Sequence, residues 1–235
     1  MAQSGHLSRL SGLRLLVSGS APLDPALFET VAEQCGQPPL ERYGMTETLM
    51  ITSNPIGGPR QPGRVGHPLP QVEVRLGADN VVEVRGPNVF SGYLDESEGT
   101  GFTEDGWFRT GDVGEFDETN SLQLVGRSSD LIITGGYNVY PREVEDVLRT
   151  HPGVADVAVI GLPDPTFGES VAAFIVGRGD DPRLAMGEIA LALAPYKRPR
   201  RLFLSAELPR NAMGKVQRDV LVQEALAHPH LGLRT

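Results

Sequence analysis

The chain has 235 residues, of which 40% are hydrophobic and 22% are charged, and its formal net charge is -9. This composition predicts a packed globular protein of one large domain or two modest ones. The negative charge excludes broad binding to the phosphate backbone of nucleic acids, which needs a basic face. It leaves room for a small anionic ligand at a local Arg/Lys cluster.

The single cysteine, Cys35, excludes a disulfide within the chain, and the sequence has no CxxC metal motif. Its position in AEQCGQP predicts a small residue at a helix end. No run reaches the roughly 18 apolar residues of a membrane helix, and the start of the chain has no apolar signal region. We therefore expect a soluble protein of a reducing, cytoplasmic compartment.

Residues 1–59 are predicted to form a piece of an α/β unit. LRLLVSGSAPL (13–23) is typical of a buried parallel strand that ends in small residues and delivers a loop to a site. DPALFETVAEQCG (24–36) predicts a helix with Asp24 as its N-cap, a proline in its first turn and Gly36 after its end.

Residues 60–128 have a different character, because short alternating strands are separated by Gly, Pro, Asn and Asp. The predicted strands VEVRL, VVEVRG and LQLVG indicate a β-rich subdomain. From 129 to 235 the pattern changes again, and it predicts a compact α+β domain. The domain boundary is placed near Ser128-Ser129, so that 1–128 and 129–235 are the two expected domains.

The last hundred residues alternate between helix and strand patterns. YPREVEDVLRTHPGV predicts a helix with Pro141 at its start and Val144, Val147 and Leu148 on one face. The elements that follow are predicted strands at 154–161 and 171–176, a helix at 187–195, a strand at 201–204 and a final helix at 215–228.

RYGMTET places two threonines on either side of one carboxylate. One interpretation is a helix start, with Thr46 as N-cap and Glu47 favourable to the helix dipole. The other is a hydroxyl and a carboxylate presented to a phosphate and its metal, because Mg²⁺ takes carboxylates together with substrate phosphates. Tyr43 could then present its flat face to a base. Both interpretations can hold together.

Two further segments contain residues that are suited to binding a sugar. Asp112 closes FRTGD and Arg127 lies in VGRSSD. A Gly-Asp pair is often a plain turn. It can also offer a carboxylate to a ribose diol, as acidic residues do in dinucleotide sites, and Arg127 could join the same ribose.

LPRNAMGKVQR (208–218) and ITGGYNVYP (132–140) are the remaining candidates. Lys215 follows a glycine in a loop that opens a helix; it is either a solvated charge or a flexible cation that neutralises reacting anions. Gly135 and Gly136 either form a hairpin turn or permit close approach of a ligand.

In this order, five segments resemble the core motifs of the adenylate-forming superfamily of acyl-CoA synthetases, adenylation domains and luciferases. They are SGSAPL, ERYGMTET, WFRTGD, VGRSSDLIITGGYNVYPREVE and LPRNAMGKVQR. Within that superfamily, ERYGMTETLMITSNP, GPNVFSGY and TGGYNVYPREVE look like the malonyl-CoA and methylmalonyl-CoA synthetase branch. The resemblance implies part of the large N-terminal domain, as an α/β piece plus the β-rich subdomain, followed by the small mobile α+β domain.

The resemblance also implies roles for individual residues. The nucleotide would be bound by Gly19, Ser20, Ala21, Pro22, Tyr43, Gly44, Met45, Thr46, Asp112 and Arg127, with the last two on the ribose. Glu47 would hold Mg²⁺, and Thr46 would contact phosphate. Lys215 would bridge the acyl carboxylate and the α-phosphate. CoA would pass Gly135, Gly136 and Tyr137. The implied cofactor and substrates are Mg²⁺, ATP, CoA and a small carboxylate.

Two departures from the family pattern matter. The hinge position carries Ser129, where Asp or Lys is usual, and a phosphate loop of the form TSGTTGxPKG is missing. We therefore expect the chain to be the C-terminal half of a synthetase, partnered by the N-terminal half of the same enzyme. The open alternatives are an inactive remnant with partial nucleotide contacts, or an enzyme that uses a fatty acid or a carrier-protein thiol.

Overall fold

The computed structural model describes residues 7–19, 21–94, 101–178, 192–212, 214–229 and 232–234. The chain divides into two compact units, Met1–Val125 and Gly126–Thr235. The fold is mixed α/β with two sheets, which confirms the predicted fold class. The domain boundary near Ser128-Ser129 stays a prediction.

The first unit is built on an eight-stranded sheet. Its elements are β1 (Val17–Ser18), α1 (Pro25–Cys35), β2 (Leu40–Met45), β3 (Leu49–Ser53), β4 (Arg64–Pro68), β5 (Glu73–Leu76), β6 (Val81–Arg85), β7 (Phe108–Phe116) and β8 (Leu122–Arg127), of which the last two residues belong to the second unit. The strands lie in the order β1-β2-β3-β4-β8-β7-β6-β5. The three strands predicted for the β-rich subdomain are confirmed as β5, β6 and β8.

Helix α1 has the ends that the sequence predicts. The side chain of Asp24 accepts a hydrogen bond from the amide of Leu27 at 3.0 Å, so it caps the first turn. Gly36 follows the last turn with φ 72°, a left-handed conformation that glycine adopts without a steric cost. Cys35 is buried at the helix end, as expected, and its thiol lies 3.2 Å from the carbonyl of Leu7.

Strand β1 is parallel to β2, as predicted, but the prediction that it is buried is wrong. Only two register pairs join the strands, Val17 with Leu40 and Ser18 with Glu41. The side chain of Val17 is 46% exposed and Leu13 just before it is 47% exposed. An apolar run predicts a buried strand only where other elements cover it, and the described residues give these side chains no full cover.

The exposed side of β5–β7 carries a charged cluster around Trp107. The guanidinium groups of Arg75 and Arg85 lie 4.4 and 4.5 Å from the Trp107 ring centroid. Arg75 also forms two hydrogen bonds to Asp105, at 2.7 and 3.0 Å, and one to Glu83 at 2.7 Å. The hydrogen bonds from Arg75 lower the pKa of Asp105 from 3.8 to about 2.

Replacing Arg75 by Gln should raise the pKa of Asp105 towards its ordinary value of 3.8. Because the folded-state pKa is depressed, the stabilisation from this pair is present above about pH 4 and is lost as the pH falls towards about 2. Carboxyl NMR titration measures the shift. Arg85→Gln is the control: it removes the partner of Glu73 and should leave Asp105 almost unchanged. An Asp105 pKa that stays near 2 in Arg75→Gln would contradict the assignment.

The second unit is a sheet with helices against its two faces. Its elements are β9 (Ile132–Thr134), β10 (Tyr137–Val139), α2 (Pro141–Arg149), β11 (Val154–Asp164), β12 (Gly168–Gly177), β13 (Arg201–Leu204), α3 (Arg218–Ala227) and β14 (Leu233–Arg234). The strands run β10-β9-β12-β13-β14, and β11 pairs antiparallel with β12. The predicted strands at 154–161, 171–176 and 201–204 are confirmed.

Alternate residues of β11 and β12 face opposite helices. One core cluster combines Val144 and Leu148 of α2 with Val157 and Val159. The other combines Leu221 and Ala225 of α3 with side chains of the opposite face, among them Ala158, Ile160 and Phe174. Both faces of the two strands are therefore buried, which explains why their sequences are apolar throughout. The predicted apolar face of α2 is confirmed.

Side chains form hydrogen bonds to backbone groups along the outer edge of β11. The amide of Val159 donates to Glu145 at 2.9 Å, and Nε of Arg218 donates to the carbonyl of Val159 at 3.3 Å. Arg149 donates to the carbonyl of Val157, also at 3.3 Å. Glu145 in turn accepts a hydrogen bond from Nη2 of Arg218 at 2.6 Å. This network ties α2 and the start of α3 to the strand.

The remaining two helix predictions are those at 187–195 and 215–228. The helix predicted at 187–195 falls mostly outside the described residues. The last helix begins at Arg218 rather than at residue 215, because Arg210 and Val216 form a β-bridge that closes a tight loop first. None of the helices in the described part of the chain is both long enough and apolar enough to cross a membrane.

Candidate nucleotide-binding site

Thr46, Glu47 and Thr48 form the turn of a β-hairpin between β2 and β3. The prediction that they start a helix is wrong, because Leu49–Ser53 is extended and pairs back onto β2. The amide of Thr48 donates to the carbonyl of Met45 at 3.2 Å, which closes the turn, and Leu49 has φ 52°. Thr46 therefore has no helix to cap. The hairpin presents Thr46 and Glu47 at its tip.

The two strands of this hairpin approach so closely at Gly44 that only a glycine fits there. A Cβ at this position would overlap the carbonyl oxygen of Leu49 on the opposite strand. The pairing register also shifts here, because Tyr43 pairs with Thr52 and Gly44 with Met50, so that Ile51 of β3 is the extra residue of a β-bulge. Bulges re-aim side chains and are frequent beside functional sites. Here the bulge lies opposite Tyr43 and Gly44, close to the turn.

Tyr43 and Asp112 meet in the first unit although 69 residues separate them in sequence. The hydroxyl of Tyr43 donates to Oδ2 of Asp112 at 2.6 Å, and both residues are buried. Gly111 lies within β7 at φ 75°, so the strand is irregular immediately before the carboxylate. The hydroxyl of Thr110 supports this irregularity by accepting the amide of Asp112 at 3.1 Å. This hydrogen bond links Asp112 to β2, the strand that leads into the Thr46–Glu47 turn.

A loop after β6 holds the hairpin turn, and the sequence reasoning assigned it no role. Nδ2 of Asn88 donates to the carbonyl of Thr48 at 2.6 Å. The amide of Phe90 donates to the carbonyl of Glu47 at 2.8 Å, and the hydroxyl of Tyr93 donates to Oε1 of Glu47 at 3.1 Å. The segment of the sequence that forms this loop is GPNVFSGY, which resembles the malonyl-CoA and methylmalonyl-CoA synthetase branch but does not by itself indicate a contact with Glu47.

The SGSAPL loop follows β1. A Cβ at Gly19 would lie 2.9 Å from Cγ of Arg42 on β2, so the chain passes close to that strand. Ala21 and Pro22 are exposed. Ser20 lies outside the described residues. The nucleotide-binding roles of these residues stay predictions.

Lys215 lies on a compact loop of the second unit. Its amide donates to Oδ1 of Asn211 at 2.9 Å, and the amide of Asn211 donates to the carbonyl of Lys215, also at 2.9 Å. Nη1 of Arg210 donates to the carbonyl of Gly214 at 2.6 Å. These bonds join Arg210 and Asn211 to Gly214 and Lys215, and Lys215 is an exposed residue.

Gly135 and Gly136 form the turn between β9 and β10, with φ 57° and 84°. This hairpin turn was one of the two interpretations of the pair. The amide of Gly135 donates to the carbonyl of Phe167 at 2.8 Å, and space around a Cβ at Gly136 is open. Tyr137 stacks on Tyr196 with ring centroids 4.4 Å apart. The hydrogen bond to Phe167 thus holds the turn at Gly135, and the space next to Gly136 is open.

Arg127 ends β8, and a short 3-10 helix at Ser128–Asp130 follows it. The hydroxyl of Ser129 donates to Oδ1 of Asp130 at 3.0 Å, and Oδ2 of Asp130 lies 3.4 Å from Nη1 of Arg218. Ser129 and Arg127 are exposed. Ser129 as a hinge and Arg127 as a ribose ligand stay predictions.

Glu47 suits a magnesium ion that arrives with its nucleotide better than a metal held by protein alone. In the described part of the chain, His, Cys, Asp and Glu form no group of three that could hold a metal. Mg²⁺ commonly binds one or two protein carboxylates and completes its shell with phosphates and water. A single oriented carboxylate between two threonines fits that arrangement.

Two family models match parts of this chain. The AMP-binding enzyme family matches residues 1–94, and the AMP-binding enzyme C-terminal domain matches residues 143–215. The chain is 41% identical to the mitochondrial malonate–CoA ligase ACSF3 of Mus musculus, over 90% of this chain and 42% of that protein. It is 38% identical to an oxalate–CoA ligase of Arabidopsis thaliana, over 92% of this chain and 45% of the relative.

Among solved structures, ATP-bound MatB from Rhodopseudomonas palustris superposes with a TM-score of 0.85 at 43% identity. The match covers 90% of this chain and 45% of the MatB chain. The chain therefore spans less than half the length of these relatives.

Proposed function

Because the chain belongs to the AMP-binding enzyme family, we propose that it forms part of an AMP-forming acid–thiol ligase. The protein activates a small carboxylate with ATP and transfers the acyl group to CoA. The observation that carries the proposal is the hydrogen bond from Tyr43, on the strand that leads into the Thr46–Glu47 turn, to the buried carboxylate of Asp112.

In the first step, a carboxylate oxygen of the acid attacks the α-phosphorus of ATP, forming acyl-AMP as pyrophosphate leaves. Asp112 and Arg127 bind the ribose, and Gly19 to Pro22 with Tyr43, Gly44 and Met45 border the adenine. Thr46 donates to a phosphate oxygen. Glu47 would hold Mg²⁺, which would supply positive charge to offset the charge of the phosphates.

Lys215 acts on the same step from the second unit. Two anions must meet, and a cation that bridges the acid and the α-phosphate lowers their repulsion in the transition state. A compact ammonium on a flexible stem suits this role, and the exposed Lys215 on a hydrogen-bonded loop provides it.

In the second step, the CoA thiolate attacks the acyl carbon and AMP leaves. The Gly135-Gly136 turn, with open space at Gly136, and the neighbouring Tyr137 border the path of the pantetheine arm. Between the steps, the small domain turns about Ser129. This rotation withdraws Lys215 from the nucleotide and brings the Gly135-Gly136 turn to it. Such an exchange protects the adenylate from water between the steps.

Malonate is the acid we propose first, with methylmalonate next. The support is the similarity to the malonate–CoA ligase and to MatB, together with the branch-like segments ERYGMTETLMITSNP and GPNVFSGY. The oxalate–CoA ligase relative also carries a dicarboxylic acid in its name. A fatty acid as substrate and a carrier-protein thiol as acceptor are the alternatives.

A second candidate applies to the 235 residues alone. The chain spans 42% of the mouse ligase, which favours a folded portion that contacts nucleotide without turning it over. In that case, catalysis needs the N-terminal half of the same enzyme.

ATP–pyrophosphate exchange tests both candidates. We expect malonate-dependent exchange in the protein expressed from the complete reading frame, above the rates with methylmalonate, oxalate, acetate and fatty acids. Release of AMP and malonyl-CoA on addition of CoA completes the test. The 235-residue chain assayed alone separates the candidates, because exchange there would reject the second. Lack of exchange with every acid in the complete protein would reject the ligase.

A further inference from the structure

The loop after β6 forms hydrogen bonds to the hairpin turn that carries Glu47. These bonds reach both the main chain of the turn and the side chain of Glu47. Asn88 and Phe90 bond the carbonyls of Thr48 and Glu47 at 2.6 and 2.8 Å. These bonds fix the backbone of the turn. The hydroxyl of Tyr93 acts on the functional group itself, because it donates to Oε1 of Glu47 at 3.1 Å.

The Tyr93 ring is held by aromatic packing. It meets the ring of Phe90 edge-on, with centroids 4.8 Å apart and an interplanar angle of 75°. Phe90 in turn lies edge-on to Phe108, at 5.1 Å, and Phe108 is 1% exposed at the start of β7. Such aromatic pairs stabilise a defined ring geometry beyond the area that they bury. The ring is therefore held on one side by aromatic packing that reaches the core of the first unit, while Tyr93 is 41% exposed.

We propose that Tyr93 is a positioning residue whose hydroxyl orients the Glu47 carboxylate towards the magnesium ion of Mg·ATP. Glutamate has three rotatable side-chain bonds, so an exposed carboxylate samples many directions. A donor fixed on Oε1 restricts that rotation and presents the group in one orientation. The inference depends on the proposed function, in which Glu47 is the metal ligand.

The test measures metal binding without turnover. Mn²⁺, which replaces Mg²⁺ and is visible by electron paramagnetic resonance, is titrated into the complete protein with α,β-methylene-ATP. Tyr93→Phe keeps the ring and removes the donor, and we expect it to weaken Mn²⁺ affinity by about 3- to 10-fold, the range for one hydrogen bond. Affinity for the nucleotide without metal should not change.

Three further variants make every outcome decisive. Glu47→Gln should weaken Mn²⁺ affinity more than Tyr93→Phe, and the double variant should resemble Glu47→Gln because both act through one carboxylate. Thr103→Val removes a hydroxyl that bonds the amide of Trp107 at 2.9 Å, and it should lower the melting temperature while leaving Mn²⁺ affinity unchanged.

A wild-type affinity in Tyr93→Phe, alongside a weakened Glu47→Gln, overturns the role of Tyr93 and leaves the ligase assignment intact. An unchanged affinity in Glu47→Gln, or no metal-dependent binding in the wild type, removes Glu47 as the metal ligand and the role of Tyr93 with it; exchange activity then decides the ligase separately. An equal loss in Thr103→Val shows a general effect of stability and overturns the proposal.

Discussion

Replacing Lys215 by Ala should lower the rate of adenylate formation by about 10²- to 10³-fold, the usual effect of removing one charge-stabilising group from a transition state. The carboxylate and the α-phosphate repel each other as they react, and the ammonium of Lys215 offsets that repulsion. The second step joins a thiolate to a preformed adenylate and does not need this cation. Thioesterification of supplied acyl-AMP should therefore proceed at a rate close to that of the wild type.

The two steps can be measured separately in the complete protein. Pyrophosphate exchange follows the first, and AMP release from supplied malonyl-AMP and CoA follows the second. Lys197→Ala is a matched control, because Lys197 and Lys215 are the two lysines of the chain and Lys197 pairs with Glu143 instead. Equal losses in both steps for Lys215→Ala would show a structural defect and contradict the role.

Replacing Glu145 by Ala should destabilise the second unit by about 3–5 kcal/mol, the cost of breaking a buried ion pair. Glu145 is 5% exposed, and its carboxylate accepts bonds from the amide of Val159 and from Arg218 at 2.9 and 2.6 Å. Arg149 reaches its other oxygen at 3.3 Å. Truncation leaves a buried amide and part of the Arg218 charge without an acceptor.

Urea unfolding at neutral pH measures this loss. The adjacent Asp146 provides the control, since its side chain is 45% exposed and pairs with Arg149 at 2.8 Å. Asp146→Ala removes a similar charge from a solvated pair and should cost no more than about 1 kcal/mol. Comparable losses in the two variants would contradict the importance of burial at Glu145.

The elements that the sequence predicted well are those with local chemical signals. Asp24 and Gly36 mark the ends of α1, and both act through bonds or backbone angles within a few residues. Pro141 begins α2, and the spacing of Val144 and Leu148 gives its buried face. In each case the determinant lies inside the element itself.

The hairpin at Thr46–Glu47 shows where such signals mislead. A threonine before an acidic residue satisfies the rules for a helix start, but Leu49–Ser53 forms a strand that pairs with β2 instead. That choice depends on packing of the sheet, with Ile51 fully buried, and not on local propensity. Strand β1 shows a different limit. Its apolar sequence predicts a buried strand, but the sequence does not determine whether other elements cover it.

Residue types alone identified candidates for the site, but not the contacts between them. The sequence assigns Tyr43 to a base and Asp112 to a ribose, and it does not predict the hydrogen bond between them, which joins residues 69 positions apart on β2 and β7. Tyr93 was not assigned, since nothing near it in sequence indicates that it reaches Glu47. Long-range geometry of this kind follows from the assembled sheet.

The side chains that bond the outer edge of β11 have a consequence for solubility. An unpaired strand edge is a template on which another extended chain can add, and this is a common start of aggregation. Along β11, Glu145 and Arg218 occupy the amide and carbonyl of Val159, and Arg149 occupies the carbonyl of Val157. An incoming strand would have to displace charged groups from the middle of the edge, so the same residues that hold the fold also protect it from self-association.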